Sequence, residues 1–124
     1  MSMKIAIVGL GRVGSDFLEE LMRNADKGFQ IVYAAETSDT EGKKLACDKG
    51  IPVGTIEDIL ALGDKVDIIF DLTGSRGVRR MVREELEKAG NIHTTVVPET
   101  VSRMMWALMT DKKLPEVHHF IGHG

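Results

Sequence analysis

The sequence predicts an α/β domain with about five parallel strands in the order 3-2-1-4-5 and helices on both faces. Two observations carry this. Short apolar runs alternate with longer segments whose apolar residues recur at helical spacing, the pattern of repeated βα units. The first apolar run also passes directly into a glycine-rich turn that opens a helix. Right-handed crossovers then leave few topologies.

Strand one reads Lys4-Ile5-Ala6-Ile7-Val8, a continuous apolar run suited to a parallel strand buried on both faces. The helix after it places Val13, Phe17, Leu18, Leu21, Met22 and Ala25 on one side, and Gly28 stands where it would stop. Gln30 to Ala35 is strand two. Ser38 to Gly50 is a polar helix, and Ile51 to Gly54 a short third strand followed by a helix from Ile56 to Leu62. Asp67 to Leu72 is the fourth strand, and Gly74-Ser75 opens a helix that closes at Gly90. His93 to Val97 is strand five, and Pro98 suits the first turn of a last helix that runs to about Thr110. This divides the chain into a domain over 1–110 and a tail over 111–124.

With 124 residues, 43% hydrophobic and 28% charged, the chain has an ordinary globular composition for one domain. A net charge of −3 provides no field for DNA, RNA or anionic lipid, so no nucleic-acid partner is expected. No run approaches the roughly 18 apolar residues of a membrane span. The single Cys47 fits a reducing compartment, and a cytoplasmic protein is expected.

Gly9-Leu10-Gly11-Arg12-Val13-Gly14 lies between strand one and its helix. In this Rossmann-type context Gly9 permits the tight turn. Gly11 lets a pyrophosphate approach the backbone, and Gly14 lets helix and strand pack closely. The N–H groups near Arg12 and Val13 are helix-start donors aimed at an anion. Glu36 ends strand two, at the distance where a carboxylate accepts hydrogen bonds from the adenosine ribose. A carboxylate repels a 2′-phosphate, and Thr37, Ser38, Asp39 and Thr40 bring no arginine, so NAD is favoured over NADP. Asp71-Leu72-Thr73-Gly74-Ser75 ends strand four beside strand one, at the crevice of this topology.

Three stretches carry a resemblance: residues 7–14, residues 66–75 and residues 86–97. The chain resembles the N-terminal NAD(P)-binding domain of homoserine dehydrogenases, aspartate dehydrogenases and dihydrodipicolinate reductases. The resemblance implies that Gly9 to Gly14 hold the pyrophosphate, Glu36 the adenosine ribose, and Leu72 to Gly74 the nicotinamide side. The candidate cofactor-binding residues are thus Gly9, Leu10, Gly11, Arg12, Val13, Gly14, Glu36, Thr37, Leu72, Thr73 and Gly74. The chain departs from those enzymes after strand five, where Pro98-Glu99-Thr100 replaces a frequent lysine. Their second, substrate-binding domain is not expected within these 124 residues, and no catalytic residue is assigned.

Arg76, Arg79, Arg80 and Arg83 form a stripe on the fourth helix, read as a solvated face with Arg80–Glu84 and Arg83–Glu87 pairs. On the last helix Val101, Met104, Met105, Leu108 and Met109 form the expected core stripe. Trp106 falls outside it, so an exposed contact surface is expected over Met104–Met109, for a homodimer or a partner protein. His118, His119 and His123 read as a tail rather than a metal site. The leading function is a dinucleotide-binding module that senses or carries its ligand, or the cofactor half of an oxidoreductase. The alternatives are an oxidoreductase completed by a partner subunit, and a regulatory nucleotide-binding domain of the potassium-transport type, which shares the Gly-x-Gly-Arg-Val-Gly loop. Gly14 and the five-unit pattern favour a dinucleotide over the S-adenosylmethionine of a methyltransferase.

Overall fold

The computed structural model describes residues 2–110. The histidine tail lies outside them. Five strands form one parallel sheet: β1 (Met3–Val8), β2 (Phe29–Ala35), β3 (Val53–Gly54), β4 (Ile68–Asp71) and β5 (Thr95–Val97). Their order is β3-β2-β1-β4-β5, as expected. The helices are α1 (Arg12–Arg23), α2 (Glu41–Asp48), α3 (Ile56–Ala61), α4 (Arg76–Lys88) and α5 (Glu99–Met109). Among the described residues no helix is long and apolar enough to cross a membrane.

Alternation along β1 divides the core. Ile5 and Ile7 face Phe17, Leu18 and Leu21 of α1, Ala46 of α2 and Trp106 of α5. Ala6 and Val8 face Ile59 of α3 and Val82 and Leu86 of α4. Both faces of the central strand are therefore covered, which is why its sequence is apolar without a break. Phe17 and Phe70 link helix and sheet with ring centroids 4.9 Å apart.

Several element ends differ from the sequence reading, each with a local cause. Strand five begins at Thr95 rather than His93, because the Asn91 carboxamide oxygen accepts the His93 and Thr94 N–H groups, both at 3.0 Å. Such a side chain offers the backbone an alternative to the strand ladder. Helix α2 begins at Glu41 rather than Ser38, because the Thr40 hydroxyl caps it by accepting Lys43 N–H at 3.1 Å. Helix α1 ends at Arg23, and a 3₁₀ turn over Ala25–Lys27 carries the chain to Gly28.

Helix α5 corrects the expectation of an exposed tryptophan. Trp106 is 5% exposed, and its Nε1–H donates to Asp16 Oδ2 of α1 at 3.1 Å. Met104 and Leu108, assigned to the core stripe with Val101, are 55% and 79% exposed, and Val101 is exposed too. Met105 and Met109 remain partly buried against the α1 side of the core. The helix is turned so that its largest side chain is covered. An indole buries more area than a valine or leucine and here also finds an acceptor for its N–H.

Asp67, just before β4, ties three strands together at the opposite end of the sheet. Its Oδ2 accepts Lys4 N–H of β1 at 2.7 Å, and its Oδ1 meets His93 Nε2, ahead of β5, at 2.5 Å. The Lys4 N–H first, and then His93, hold the Asp67 carboxyl below the ordinary aspartate value of 3.8. A depressed carboxylate stabilises the fold fully above its unfolded pKa, and the contribution is lost as pH falls through the folded value. The stability gap between wild type and Asp67→Asn is therefore expected to be constant above about pH 5 and to close below 3.8. Urea midpoints measured across that range check it. A gap that persists unchanged in acid would exclude this role.

Candidate functional site

The strand register builds the site. Val8 pairs with Ala35 on one side and Asp71 on the other, so the C-terminal ends of β1, β2 and β4 are level. The next residues, Gly9, Glu36 and Leu72, therefore emerge side by side. Gly9 N–H donates to Ala35 O and Leu72 N–H to Val8 O, each at 2.8 Å.

Gly9 has a φ of +96°, a region that side chains disfavour, and an added Cβ would stand 3.1 Å from Leu72 C and Thr73 N. At Gly14 a Cβ would lie 2.0 Å from Gly9 O, so α1 sits directly on the turn. At Gly11 it would meet nothing within 4 Å. The backbone there is open to a ligand, whereas the other two glycines are closed by protein. Three assignments for three glycines thus separate into two that shape the loop and one that leaves space.

Helix α1 has no side-chain cap at Gly11 and no acidic residue in its first turn. Helices α2, α3 and α4 are capped by Thr40, Thr55 and Ser75. The first N–H groups of α1 thus lack the side-chain acceptor that those helices supply.

The Glu36 carboxylate spans two loops. Its Oε1 accepts Leu10 N–H at 2.7 Å and its Oε2 accepts Ser38 N–H at 3.0 Å. Leu10 enters the site through its backbone alone, since its side chain is fully buried in the core. After β4, the buried Asp71 accepts Thr73 N–H at 3.0 Å and Thr73 Oγ1–H at 2.7 Å. Thr73 Oγ1 in turn accepts Ser75 N–H at 3.1 Å. A buried carboxylate therefore fixes the Leu72–Gly74 loop through a threonine.

These loops enclose a cavity of about 390 Å³. Six candidate residues line it: Gly9, Gly11, Glu36, Thr37, Leu72 and Thr73. The other five do not. Leu10, Val13 and Gly14 pack inward, Arg12 is an exposed residue at the start of α1, and Gly74 makes a turn with φ +72°. None of the described lining residues is lysine or arginine.

The homoserine dehydrogenase NAD-binding domain model matches residues 9–98, from the glycine turn to the end of β5. The chain belongs to this family of NAD-binding domains. It is 31% identical over 99 residues to the acetaldehyde dehydrogenase of Thermomicrobium roseum, covering 78% of this chain and 32% of that protein. It is 32% identical over 104 residues to acetaldehyde dehydrogenase 2 of Mycolicibacterium vanbaalenii, covering 79% and 32%. The chain thus spans about a third of the length of the curated relatives it matches. Among solved structures it resembles a homoserine dehydrogenase from Thiobacillus denitrificans, with TM-score 0.52, 25% identity, and coverage of 77% of this chain and 23% of that one. It shares the fold of the WlbA dehydrogenase from Bordetella pertussis, solved with NADH and UDP-GlcNAcA, at TM-score 0.59, 21% identity and coverage of 90% and 35%.

In this NAD-binding domain the sequence reading missed one wall of the cavity and the support of another. Gly54, Thr55 and Ile56 line it because Ala35 pairs with Gly54, which brings the end of β3 beside Glu36. Their signal was present as Thr55-x-x-Asp58, a capping box formed in full. Asp58 also accepts Tyr33 Oη–H at 2.8 Å. The Thr55 N–H, then Tyr33, lower the Asp58 pKa, and the hydrogen bond to Asp58 raises that of Tyr33. Gly54 fits here because a Cβ would come within 2.3 Å of both partners. Val78 of α4 closes the other side, and Asp71 supports Thr73 from below. Neither carries a local sequence signal.

Proposed function

We propose that this domain binds NAD in preference to NADP, as the cofactor half of an oxidoreductase or as a module that senses or carries the dinucleotide. The observation that carries the reading is the Glu36 carboxylate, which stands in one cavity with the open backbone of Gly11 and with no lysine or arginine among the described lining residues. The residues fit the group. Gly9 to Gly14 would receive the pyrophosphate, with the uncapped N–H groups of Arg12 and Val13 directed at its charge. Glu36 would accept the two adenosine ribose hydroxyls. A carboxylate has about four acceptor sites, and two are taken by Leu10 N–H and Ser38 N–H, so two remain. Thr37 lies at that end, and Leu72 to Gly74 would border the nicotinamide half. A 2′-phosphate would place about two negative charges against Glu36 with no compensating cation.

A bound nicotinamide supplies hydride acceptance or donation. The chain's own groups would bind and orient it, and they match about a third of the longer relatives. A cytosolic setting is part of this reading.

Thermal shift with NAD, NADH, NADP, ADP and S-adenosylmethionine tests it. NAD at about 100 times its Kd adds about 2.7 kcal/mol, or roughly 10 °C for a domain of this size. A much smaller shift is expected with NADP. No shift with any dinucleotide would overturn the reading, and equal shifts would overturn the preference.

A further inference from the structure

Helix α4 carries Arg76, Arg79, Arg80 and Arg83 within two turns. Offsets of three, four and seven residues put all four on one stripe, about 10 Å long. Val78 and Met81, across the helix, and Val82 pack against the core, so Arg76, Arg80 and Arg83 are exposed and Arg79, one turn from the buried Val82, is half-buried. The chain as a whole is acidic, at −3, yet four of its sixteen basic residues are gathered here.

Three features separate this stripe from an ordinary solvated face. The expected Arg80–Glu84 and Arg83–Glu87 pairs are not among the ion pairs of the described residues; Lys88 Nζ meets Glu85 Oε1 at 3.5 Å, and Arg79 has a partner of its own. The first turn of α4 contains no acidic residue and begins with Arg76, where the helix dipole favours negative charge. The arginines also do not fan apart. All four border one shallow groove of about 270 Å³ with Glu84 and Glu87.

We propose that this face of α4 docks an acidic segment of a partner protein. The partner would present carboxylates at helical spacing to the arginine stripe. Guanidinium groups suit this because their planar fork takes a carboxylate through two parallel hydrogen bonds. Shape favours a protein segment over a small anion, since the groove is open and its border runs along the helix from Arg76 to Glu87. Charge selects it over nucleic acid or a lipid surface. Those polyanions extend across the whole face and meet a net-negative chain, whereas a short segment reads only charges within the screening length of about 8 Å. Val78, across the same helix, lines the cavity, so the partner would stand on the outer face of the helix that borders the nucleotide site. The proposal does not depend on which dinucleotide binds there.

Fluorescence anisotropy with fluorescein-labelled poly-L-glutamate tests it on the full chain. Binding is expected at low salt and is expected to weaken toward about 0.15 M. Arg80→Glu with Arg83→Glu should weaken it more than about tenfold. Lys49→Glu with Lys65→Glu makes the same change in net charge elsewhere and should leave it within about twofold. Arg80→Gln with Arg83→Gln gives a second reading should the reversal disturb folding, and far-UV circular dichroism reports the fold of each variant. Absence of polyglutamate binding at low salt would overturn the proposal. Equal losses in the α4 and control variants would reduce it to net charge and overturn it too. Tighter binding of labelled duplex DNA or phosphatidylserine vesicles through the same arginines would replace the protein partner with those polyanions.

Discussion

Gly14→Ala is expected to cost about 3 kcal/mol of stability, lowering the melting temperature by roughly 10 °C, and to remove dinucleotide binding. The cause is a single contact. The new Cβ would lie 2.0 Å from Gly9 O and 2.9 Å from Gly9 C, both backbone atoms that cannot rotate away. Either α1 lifts from the sheet or the turn at Gly9 moves. Lifting α1 opens the contacts that Phe17, Leu18 and Leu21 make with Ile5, Ile7 and Phe70. Moving the turn disturbs Gly9, whose φ of +96° and close neighbours Leu72 and Thr73 leave no room even for a Cβ. Helix propensity works the other way, because alanine is favoured over glycine within a helix by about 1 kcal/mol. Gly77→Ala is the matched comparison. Gly77 lies in the first turn of α4, and a Cβ there would meet only Ser75 Oγ, at 3.7 Å. Gly77→Ala should be neutral or slightly stabilising. Calorimetry on the two variants separates close packing from propensity, and equal melting temperatures would contradict the packing argument.

Glu36→Ala is expected to weaken NAD binding by about 10- to 100-fold. Hydrogen bonds to a charged group contribute about 1.5–3 kcal/mol each, and about 1.4 kcal/mol corresponds to tenfold. The loss has two parts. The carboxylate directly accepts the ribose hydroxyls in the proposed complex. It also holds Leu10 N–H, and through it the shape of the glycine turn, at 2.7 Å. Glu36→Gln separates them, because a carboxamide oxygen still accepts the Leu10 N–H but adds donors on the other side and carries no charge. NADP should gain relative to NAD in both variants, since the repulsion of the 2′-phosphate is removed. Isothermal titration with both dinucleotides measures this. An unchanged NAD affinity in Glu36→Ala would place the ribose elsewhere.

The two substitutions also mark how much of the site is readable from the chain. The glycine turn and Glu36 are local signals: a strand, three spaced glycines, a helix, and an acid at the end of the next strand. Spacing conveys their placement because each is fixed by its own backbone or by a neighbour one strand away. Asp71 and Val78 have no such signal. Asp71 matters because it is buried and accepts from Thr73, and Val78 because α4 lies across the mouth of the cavity. Both depend on where the helix and loop settle.

The amino-acid sequence by itself determined the alternation of elements, the strand order and the place of the glycine-rich turn. The reason is periodicity: buried parallel strands and one-sided helices leave different apolar patterns, and handedness fixes their connection. Tertiary structure alone decided the rotation of α5. Its sequence offers a Val-Met-Leu stripe and a tryptophan as rival faces, and the choice fell to Asp16 of α1, which accepts the indole N–H. It likewise decided that Arg80–Glu84 and Arg83–Glu87 are not among the ion pairs of the described residues, since helical spacing permits those pairs without enforcing them. Side-chain partners across elements are set by which surfaces meet, and that information resides in the packed fold rather than in any local run of residues.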